Sequence, residues 1–169
     1  MTAGVDEHWM RKALTLAEAA AEQGEVPVGA LVVQGQNVLG VGMNQPILAS
    51  DPTAHAELVA LRDACERVGN YRLPGATLYV TVEPCTMCAG ALVHARIERL
   101  VYGAPEPKAG AVHSSAQVLA NPALNHRIAV SAGVLAEPAA DLLRQFFLER
   151  RQRASKPGSA PQAADTNHD

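Results

Sequence analysis

Aromatic residues and cysteines are scarce in this chain of 169 residues. It holds only six aromatic side chains, two Phe, one Trp and three Tyr. We therefore expect a core built mainly from alanine, valine and leucine, and the scarcity disfavours a broad aromatic platform on which many bases could stack. The three cysteines are too few, and odd in number, for a disulfide framework. That count favours a reducing compartment, and we expect a cytoplasmic protein.

Long apolar runs are missing as well. Hydrophobic residues make up 48% of the chain and charged residues 18%, which is ordinary for a globular domain and excludes wholesale disorder. The first dozen residues contain charges and no apolar segment, so no signal peptide is expected. The long uncharged stretch at 26–50 is interrupted by glycine, proline and amide side chains. We expect strands and turns there, and no membrane span.

Positive charge is limited and unevenly distributed. The net charge is −3, which excludes a uniformly basic coat. Residues 141–156 nevertheless carry five cations and two anions, a local balance of +3, against −6 for the remainder. This asymmetry indicates a local basic patch at the end of the chain, of the kind that contacts phosphates.

Hydrophobic spacing and turn residues predict helices that alternate with strands. The expected helices lie at 6–23, 51–68, 85–95 and 138–151, with a short one near 115–119. The expected strands lie at 28–33, 38–43, 77–82, 99–103 and 127–130. This order predicts a mixed sheet with helices on both faces. We expect one domain over 1–153 and a disordered tail over 154–169, where alanine, serine, proline and glycine dominate.

Two short motifs each begin a predicted helix. His55-Ala56-Glu57 begins the second helix and Cys85-Thr-Met-Cys88 begins the third. A C-x-x-C pair within one helical turn directs both sulfurs to one point, and His55 offers a third ligand from the neighbouring helix start. Zinc favours tetrahedral nitrogen and sulfur ligands, and catalytic zinc keeps one position for water. Three ligands without a fourth therefore predict a catalytic zinc site.

Glu57 gives this site a proton carrier. Zinc lowers the pKa of bound water to roughly 7, and Glu57 is placed to take a proton from that water and pass it to a leaving group. Such a site suits an amidine-like carbon from which ammonia leaves. Alone, His-x-Glu is often solvated surface, and C-x-x-C can be a redox pair or half a zinc ribbon. The combination favours the catalytic site over a zinc that only stabilises the fold.

The remaining cysteine and histidines offer no second site of this kind. We expect Cys65 in the core, on the apolar face of the second helix, which is predicted as Leu58, Leu61, Cys65 and Val68. The other histidines are scattered along the chain, at His8, His94, His113, His126 and His168.

The paired motifs form the H-x-E…P-C-x-x-C signature of zinc-dependent nucleoside deaminases. The chain resembles this family, and within it the bacterial tRNA-specific adenosine deaminases, over nearly its whole length up to Arg151. The segments that carry the resemblance are Glu25-Val-Pro-Val-Gly-Ala30, Asn44, Asp51-Pro-Thr-Ala-His-Ala-Glu57, Glu83-Pro-Cys-Thr-Met-Cys-Ala-Gly-Ala91, Asn125-His-Arg127 and Phe146-Phe147.

The resemblance implies a fold, an assembly and an activity. The implied fold is α/β, a cytidine-deaminase-like three-layer α/β/α sandwich with a central mixed sheet of about five strands. The implied assembly is a homodimer. The implied activity is hydrolytic deamination of adenosine to inosine at the wobble position, the first anticodon position, within the anticodon stem-loop of a tRNA.

Site residues follow position by position from the resemblance. One Zn²⁺ per subunit is held by His55, Cys85 and Cys88, and Glu57 is the proton shuttle. The implied substrate contacts are Val26, Pro27, Asn44, Ala56, Glu106, Lys108, Phe147, Arg150 and Arg151. Among these, Asn44 would hydrogen-bond the flipped base, Val26 and Pro27 would line its pocket, and the last three would touch RNA. A turn, strand packing and a solvated helix face are the structural alternatives for the same residues.

One departure and two alternatives accompany the resemblance. Glu106 stands where the family generally has Asp, and prolines flank it, so this loop is stiffer and its carboxylate longer. The first alternative is a deaminase of a free nucleobase or nucleoside, guanine or cytosine. The second is a non-catalytic, zinc-stabilised RNA-binding module, which would have no need of Glu57.

Overall fold

The computed structural model describes residues 2–156. Its helices are α1 (Thr2–Glu22), α2 (Pro46–Ala49), α3 (Ala56–Val68), α4 (Thr86–His94) and α5 (Ala136–Ala154). Its strands are β1 (Gly29–Gln34), β2 (Asn37–Met43), β3 (Thr77–Val82), β4 (Arg99–Ala104) and β5 (Ala129–Ala132). A single 3₁₀ turn at Val118–Ala120 interrupts the long connection between β4 and β5.

The five strands form one mixed sheet in the order β2-β1-β3-β4-β5. Strand β1 is antiparallel to β2 and to β3, whereas β3, β4 and β5 run parallel to one another. Alternate residues of β1 point to opposite faces: Ala30 and Val32 pack towards α3 and α4, and Leu31 and Val33 pack towards α1. With α5 on the α1 side, the three-layer α/β/α prediction is confirmed.

The second long helix starts later than the sequence suggested. The sequence predicts a helix from Asp51 and Pro52, but residues 51–55 form a turn and α3 begins at Ala56. The reason is local, because the Asp51 carboxylate accepts hydrogen bonds from the backbone N–H and the hydroxyl of Thr53, at 2.8 and 2.7 Å. An aspartate bonded two residues ahead stabilises a turn rather than a helix. The separate short helix α2 was not foreseen.

Small residues, not large ones, form most of the buried face of α3. The predicted apolar face was wrong in part: Leu61 is buried, but Leu58 and Cys65 are only half-buried and Val68 is 48% exposed. The helix instead buries Ala56, Ala60 and Ala64 against the two glycines of β2. A Cβ at Gly42 would lie 2.3 Å from the carbonyl oxygen of Ala56, so only glycine permits this approach.

The end of the chain differs modestly from expectation. The last strand is shifted to Ala129–Ala132 because the Arg127 guanidinium bonds to the carbonyl oxygens of Asn121 and Pro122, which keeps that residue in the loop. Helix α5 continues to Ala154, the first residue of the expected tail. The rest of that tail, from residue 157, lies outside the described residues. Within residues 2–156, no helix combines the length and the hydrophobicity that a membrane crossing needs.

A buried carboxylate joins α1 to three strands. Asp6 accepts two hydrogen bonds from the Arg99 guanidinium, at 2.8 and 2.7 Å, and one from the Tyr79 hydroxyl at 3.0 Å. Arg99 also donates to the Ser131 hydroxyl at 2.8 Å. The bonds from Arg99 hold the pKa of Asp6 below its ordinary value, although burial opposes this. Four elements that are distant in sequence therefore share one charged group.

We expect Asp6→Asn to lower the free energy of unfolding by about 2 kcal/mol, because an amide cannot accept both guanidinium bonds. Urea denaturation at pH 7 measures this loss. Because the folded pKa of Asp6 is depressed, its stabilising effect is complete above the unfolded value of about 3.9 and is lost as the pH falls through the folded value.

The control for this variant is Glu7→Gln, which removes an exposed pair with Arg11. An exposed pair of this kind contributes less than about 1 kcal/mol. Equal losses in the two variants would contradict the role assigned to Asp6.

Candidate active site

The starts of α3 and α4 bring three ligating side chains together. His55 immediately precedes α3 and Cys85 immediately precedes α4, while Cys88 lies in the first turn of α4. Both preceding residues have extended backbones, and neither side chain makes a capping hydrogen bond to its helix. Their donor atoms are therefore left to point towards a common centre. In the part of the chain that the structure describes, this is the one such group of three found.

The spacing of these atoms fits a tetrahedral metal ion. Nδ1 of His55 lies 3.6 Å from Sγ of Cys85 and 3.6 Å from Sγ of Cys88, and all three ligand atoms lie within 4.8 Å of one another. Bonds of about 2.3 Å to sulfur and about 2.0–2.1 Å to nitrogen, at tetrahedral angles, place such atoms roughly 3.6 Å apart. One nitrogen and two sulfurs are also the ligand types that zinc prefers.

Protonation of the three groups is shared. The hydrogen bond from Cys88, aided by His55, lowers the pKa of Cys85 to about 3. The same contacts act in reverse on the partners, because the bond to Cys85 raises the pKa of Cys88 and that of His55. These contacts favour a thiolate at Cys85, and a metal cation can stabilise a thiolate in place of hydrogen-bond donors.

Glu57 is a buried acid beside this group. It lies in the first turn of α3 with 4% of its surface exposed. Burial raises the pKa of Glu57 to about 7, although the positive charge of His55 opposes the rise. A carboxyl group that titrates near neutral pH can both accept and return a proton, which is what general acid–base catalysis requires.

A small cavity of about 170 Å³ opens over these residues. Its walls include the apolar side chains Val26, Val28 and Val82, and the polar side chains of Asn44, Glu57, Glu83 and Glu106. Pockets for drug-sized ligands measure roughly 300–1,000 Å³, so this one suits a single planar base. Val28, Val82 and Ala109 were not foreseen as wall residues, because only their place in the fold brings them there.

Asn44 connects the cavity to the start of α3. Its side-chain oxygen accepts the backbone N–H of Ala56 at 3.3 Å, so the amide nitrogen is the group available to a ligand. Ala56 itself is fully buried and meets the cavity only through this bond. Pro27 is likewise fully buried and packs behind the cavity wall. Of the predicted pocket residues, Val26 and Asn44 line the cavity and these two do not.

The predicted RNA contacts divide between two sides of α5. Glu106 lines both the small cavity and a wider groove of about 760 Å³ that Phe147 and Arg151 share. Arg150 lies on the opposite side, over the Phe146 ring at 5.6 Å. Lys108 is exposed at the rim, and its backbone N–H donates to the Glu106 carboxylate at 2.9 Å. The structure thus brings Glu106, Phe147 and Arg151 together, and leaves Arg150 apart.

Two buried carboxylates near the cavity were missed by the sequence reasoning. Glu25 accepts the backbone N–H of Leu48 at 2.8 Å and so ties the segment after Asn44 to the end of α1. Burial alone would raise the pKa of Glu83, but hydrogen bonds led by Ser114 hold it at about 2. The available signal was a single charge directly after the apolar strand β3, just before the Cys85 motif.

A three-layer sandwich that carries a His–Cys–Cys group and a buried glutamate at two helix starts defines a deaminase of the cytidine deaminase-like fold. The comparison with protein families agrees, because the model of the MafB19-like deaminases matches residues 5–151.

Proteins of similar sequence identify the family within this class of deaminases. A tRNA-specific adenosine deaminase from Haemophilus influenzae is 51% identical over 148 residues, which cover 87% of this chain and 86% of the relative. A tRNA-specific adenosine deaminase from Bacillus subtilis is 41% identical over 148 residues, which cover 88% of this chain and 92% of the relative. The chain therefore belongs to the tRNA-specific adenosine deaminase family.

Solved structures show the same fold. One, from work on A-to-I editing by tRNA:A34 deaminases at the wobble position, superposes with a TM-score of 0.78 at 46% identity, covering 80% of this chain and 99% of that one. A guanine deaminase from Bacillus subtilis superposes with a TM-score of 0.57 at 32% identity, covering 64% and 80% of the two chains.

We expect Cys88→Ser to lower zinc affinity by roughly 100-fold or more, because loss of a ligand costs at least as much as loss of a group that supports one. Metal content after dialysis, measured by atomic emission, reports the change.

Cys65→Ser is the matched control, since Cys65 is half-buried elsewhere on α3 and its thiol donates to the carbonyl oxygen of Tyr71 at 3.6 Å. One zinc per chain should remain in this variant. Zinc retained by Cys88→Ser at the level of the control would refute the assigned ligand set.

Proposed function

We propose that this chain hydrolyses adenosine to inosine and ammonia at the wobble position of a tRNA. The observation that carries the proposal is Glu57, an acid whose pKa burial raises to about 7, in one small cavity with His55 and Cys85. A module that only binds RNA has no need of an acid there. The substrate follows from the relatives, which are named as deaminases of tRNA adenosine.

We assign the metal site to one Zn²⁺ per subunit, held by His55, Cys85 and Cys88. Zinc bound there would supply a Lewis acid that makes water nucleophilic near neutral pH. Glu57 takes a proton from the attacking water onto its carboxylate and delivers a proton to the amino nitrogen that leaves as ammonia. Asn44 donates to the base from its amide nitrogen, and Val26 packs against the ring.

The wider groove is assigned to RNA that flanks the target base. Phe147, 41% exposed, offers a ring for stacking, and Arg151 offers a guanidinium to phosphate. The loop with Glu106 and Lys108 separates this groove from the cavity and contacts the target nucleotide. A nucleotide in an anticodon loop is already partly unstacked, so its extrusion costs only a few kcal/mol.

Assembly and location complete the proposal. We assign a homodimer, as the resemblance implies, and the exposed side chains of Val68 and Tyr71 suit coverage by a second copy. A cytoplasmic location is supported by the three cysteines, which form no disulfide within residues 2–156, because reduced cysteines are typical of that compartment.

A second candidate is deamination of a free nucleobase such as guanine. It is favoured by one specific finding, the superposition with a guanine deaminase. The two candidates use the same metal site and the same acid, so only the substrate separates them.

We expect purified, zinc-loaded protein to form inosine in an anticodon stem-loop that carries adenosine at the first anticodon position. Glu57→Gln should reduce turnover by at least about 10²–10⁴-fold, while zinc content and stem-loop affinity stay within about twofold. Mass spectrometry of nuclease digests measures inosine, and fluorescence anisotropy measures binding.

Free adenosine, cytidine and guanine serve as parallel substrates in that experiment. Product from guanine alone would transfer the assignment to the second candidate. Undiminished turnover by Glu57→Gln would exclude the proposed role of that acid.

We expect Arg151→Ala to weaken stem-loop binding about tenfold and to reduce the slope of log affinity against log salt by about 1, as loss of one phosphate contact does. Arg150→Ala removes an equal charge from the opposite side of α5, and we expect a smaller loss. Anisotropy titrations between 50 and 200 mM salt compare the two. Equal effects would mean that overall charge, and not the groove, attracts the RNA.

A further inference from the structure

The Glu83 carboxylate collects five hydrogen bonds from one loop. One oxygen accepts the backbone N–H groups of Val112, His113 and Ser114, at 3.1, 2.8 and 2.9 Å. The other accepts the backbone N–H of Glu106 at 3.0 Å and the Ser114 hydroxyl at 2.5 Å. Both ends of the loop at 105–114 are therefore bound to a single side chain.

These five hydrogen bonds stabilise the buried negative charge of the Glu83 carboxylate. Glu83 is 3% exposed, and the ion pairs found among residues 2–156 do not include it. A buried carboxylate without a cation is tolerated only when hydrogen-bond donors surround it. Replacing one carboxylate oxygen with an amide nitrogen would set the backbone N–H of Glu106 against another donor, and an unmatched buried donor is costly.

The backbone keeps the loop close to the metal ligands. Ala111 donates its N–H to the carbonyl oxygen of Pro84 at 2.8 Å, and Gly110 forms an isolated bridge with Cys85. A Cβ on Gly110 would lie 2.5 Å from the carboxyl group of Glu83, so glycine is needed for the carboxylate to sit there. Hydrogen bonds to Glu83 and Pro84 thus hold the 105–114 loop close to Cys85, which directly follows Pro84 in the sequence.

The same loop forms one wall of the small cavity. Glu106 and Ala109 line it, as Glu83 itself does, and the N–H of Glu106 is one of the five donors to Glu83. The position of this wall relative to Cys85 therefore depends on the Glu83 side chain, whose two carboxylate oxygens are both occupied by donors from the loop.

We propose that Glu83 is a positioning residue that fixes the 105–114 loop as the substrate-contacting wall of the cavity. The kinetic part of this inference rests on the proposed function. The anchoring part rests on the contacts of the loop alone. Glu83 acts through Glu106 and its neighbours, and not on the reacting atoms.

The test compares Glu83→Gln with Asp6→Asn. Both replace a buried, hydrogen-bonded carboxylate with an amide, but Asp6 lies between α1 and the sheet, away from the cavity. Hydrogen exchange with mass spectrometry follows the peptides that cover 105–114, and needs no substrate. Steady-state deamination of the stem-loop gives KM and kcat, and zinc content is measured in each preparation.

We expect Glu83→Gln to speed exchange across 105–114 by at least about tenfold, the effect of losing one good hydrogen bond. KM for the stem-loop should rise about fivefold or more while kcat changes less than about threefold, with one zinc per chain retained. Asp6→Asn should change neither the exchange of this loop nor KM at a temperature where it is folded.

Unchanged exchange in Glu83→Gln, or an equal change in Asp6→Asn, would overturn the anchoring. A faster-exchanging loop with an unchanged KM would overturn the link to substrate. If the wild-type protein does not deaminate the stem-loop, the proposed function fails, and exchange alone still decides the anchoring. Should Glu83→Gln not fold, Ser114→Ala, which removes one donor, must show about a two- to threefold faster exchange of the same loop or the proposal is rejected.

Discussion

The contact between α3 and the edge strand β2 determines the position of His55 and Glu57 at the start of α3. Two glycines in β2 face the alanines of α3, so the helix lies closer to the sheet than branched side chains would allow. The first turn of that helix carries Glu57, and His55 directly precedes it. A larger residue at Gly42 would move the helix start away from the sheet, and with it His55, a proposed metal ligand, and Glu57. Packing of the smallest residues therefore sets the position of the most reactive ones.

Two glutamates close to this helix start and to α4 show how burial acts in opposite directions. Glu57 is surrounded by few donors, so desolvation dominates and raises its pKa. Glu83 is equally hidden from solvent, but the hydrogen bonds from the loop outweigh desolvation and keep it ionised. One fold thus maintains an acid that exchanges protons near neutrality beside another that stays charged. Neighbouring carboxyl groups whose pKa values diverge in this way are suited to different roles.

The sequence predicted most of the secondary structure, and it also predicted that His55, Cys85 and Cys88 lie together. Short-range spacing was sufficient for the ligand motifs, because both begin helices whose starts are encoded within a few residues. Short-range spacing was insufficient where contacts between residues far apart in the sequence determine the structure. The buried face of α3 depends on glycines in another strand. The late start of α3 has a local cause instead, the turn between Asp51 and Thr53, which competes with the helix signal of Asp51 and Pro52. Glu83 has partners 23 to 31 residues away, so no local pattern could reveal it.

The Asp6 network has a consequence for the order in which the chain is made. Asp6 is synthesised before its partner Arg99, which follows 93 residues later in the chain. At roughly 5–20 residues per second, that interval lasts about 5–20 seconds. During this time α1 carries a charge that cannot be buried without its guanidinium partner. We therefore expect α1 to pack stably on the sheet only after β4, which carries Arg99, has been synthesised. Until then, the earlier part of the chain lacks a partner that its folding requires.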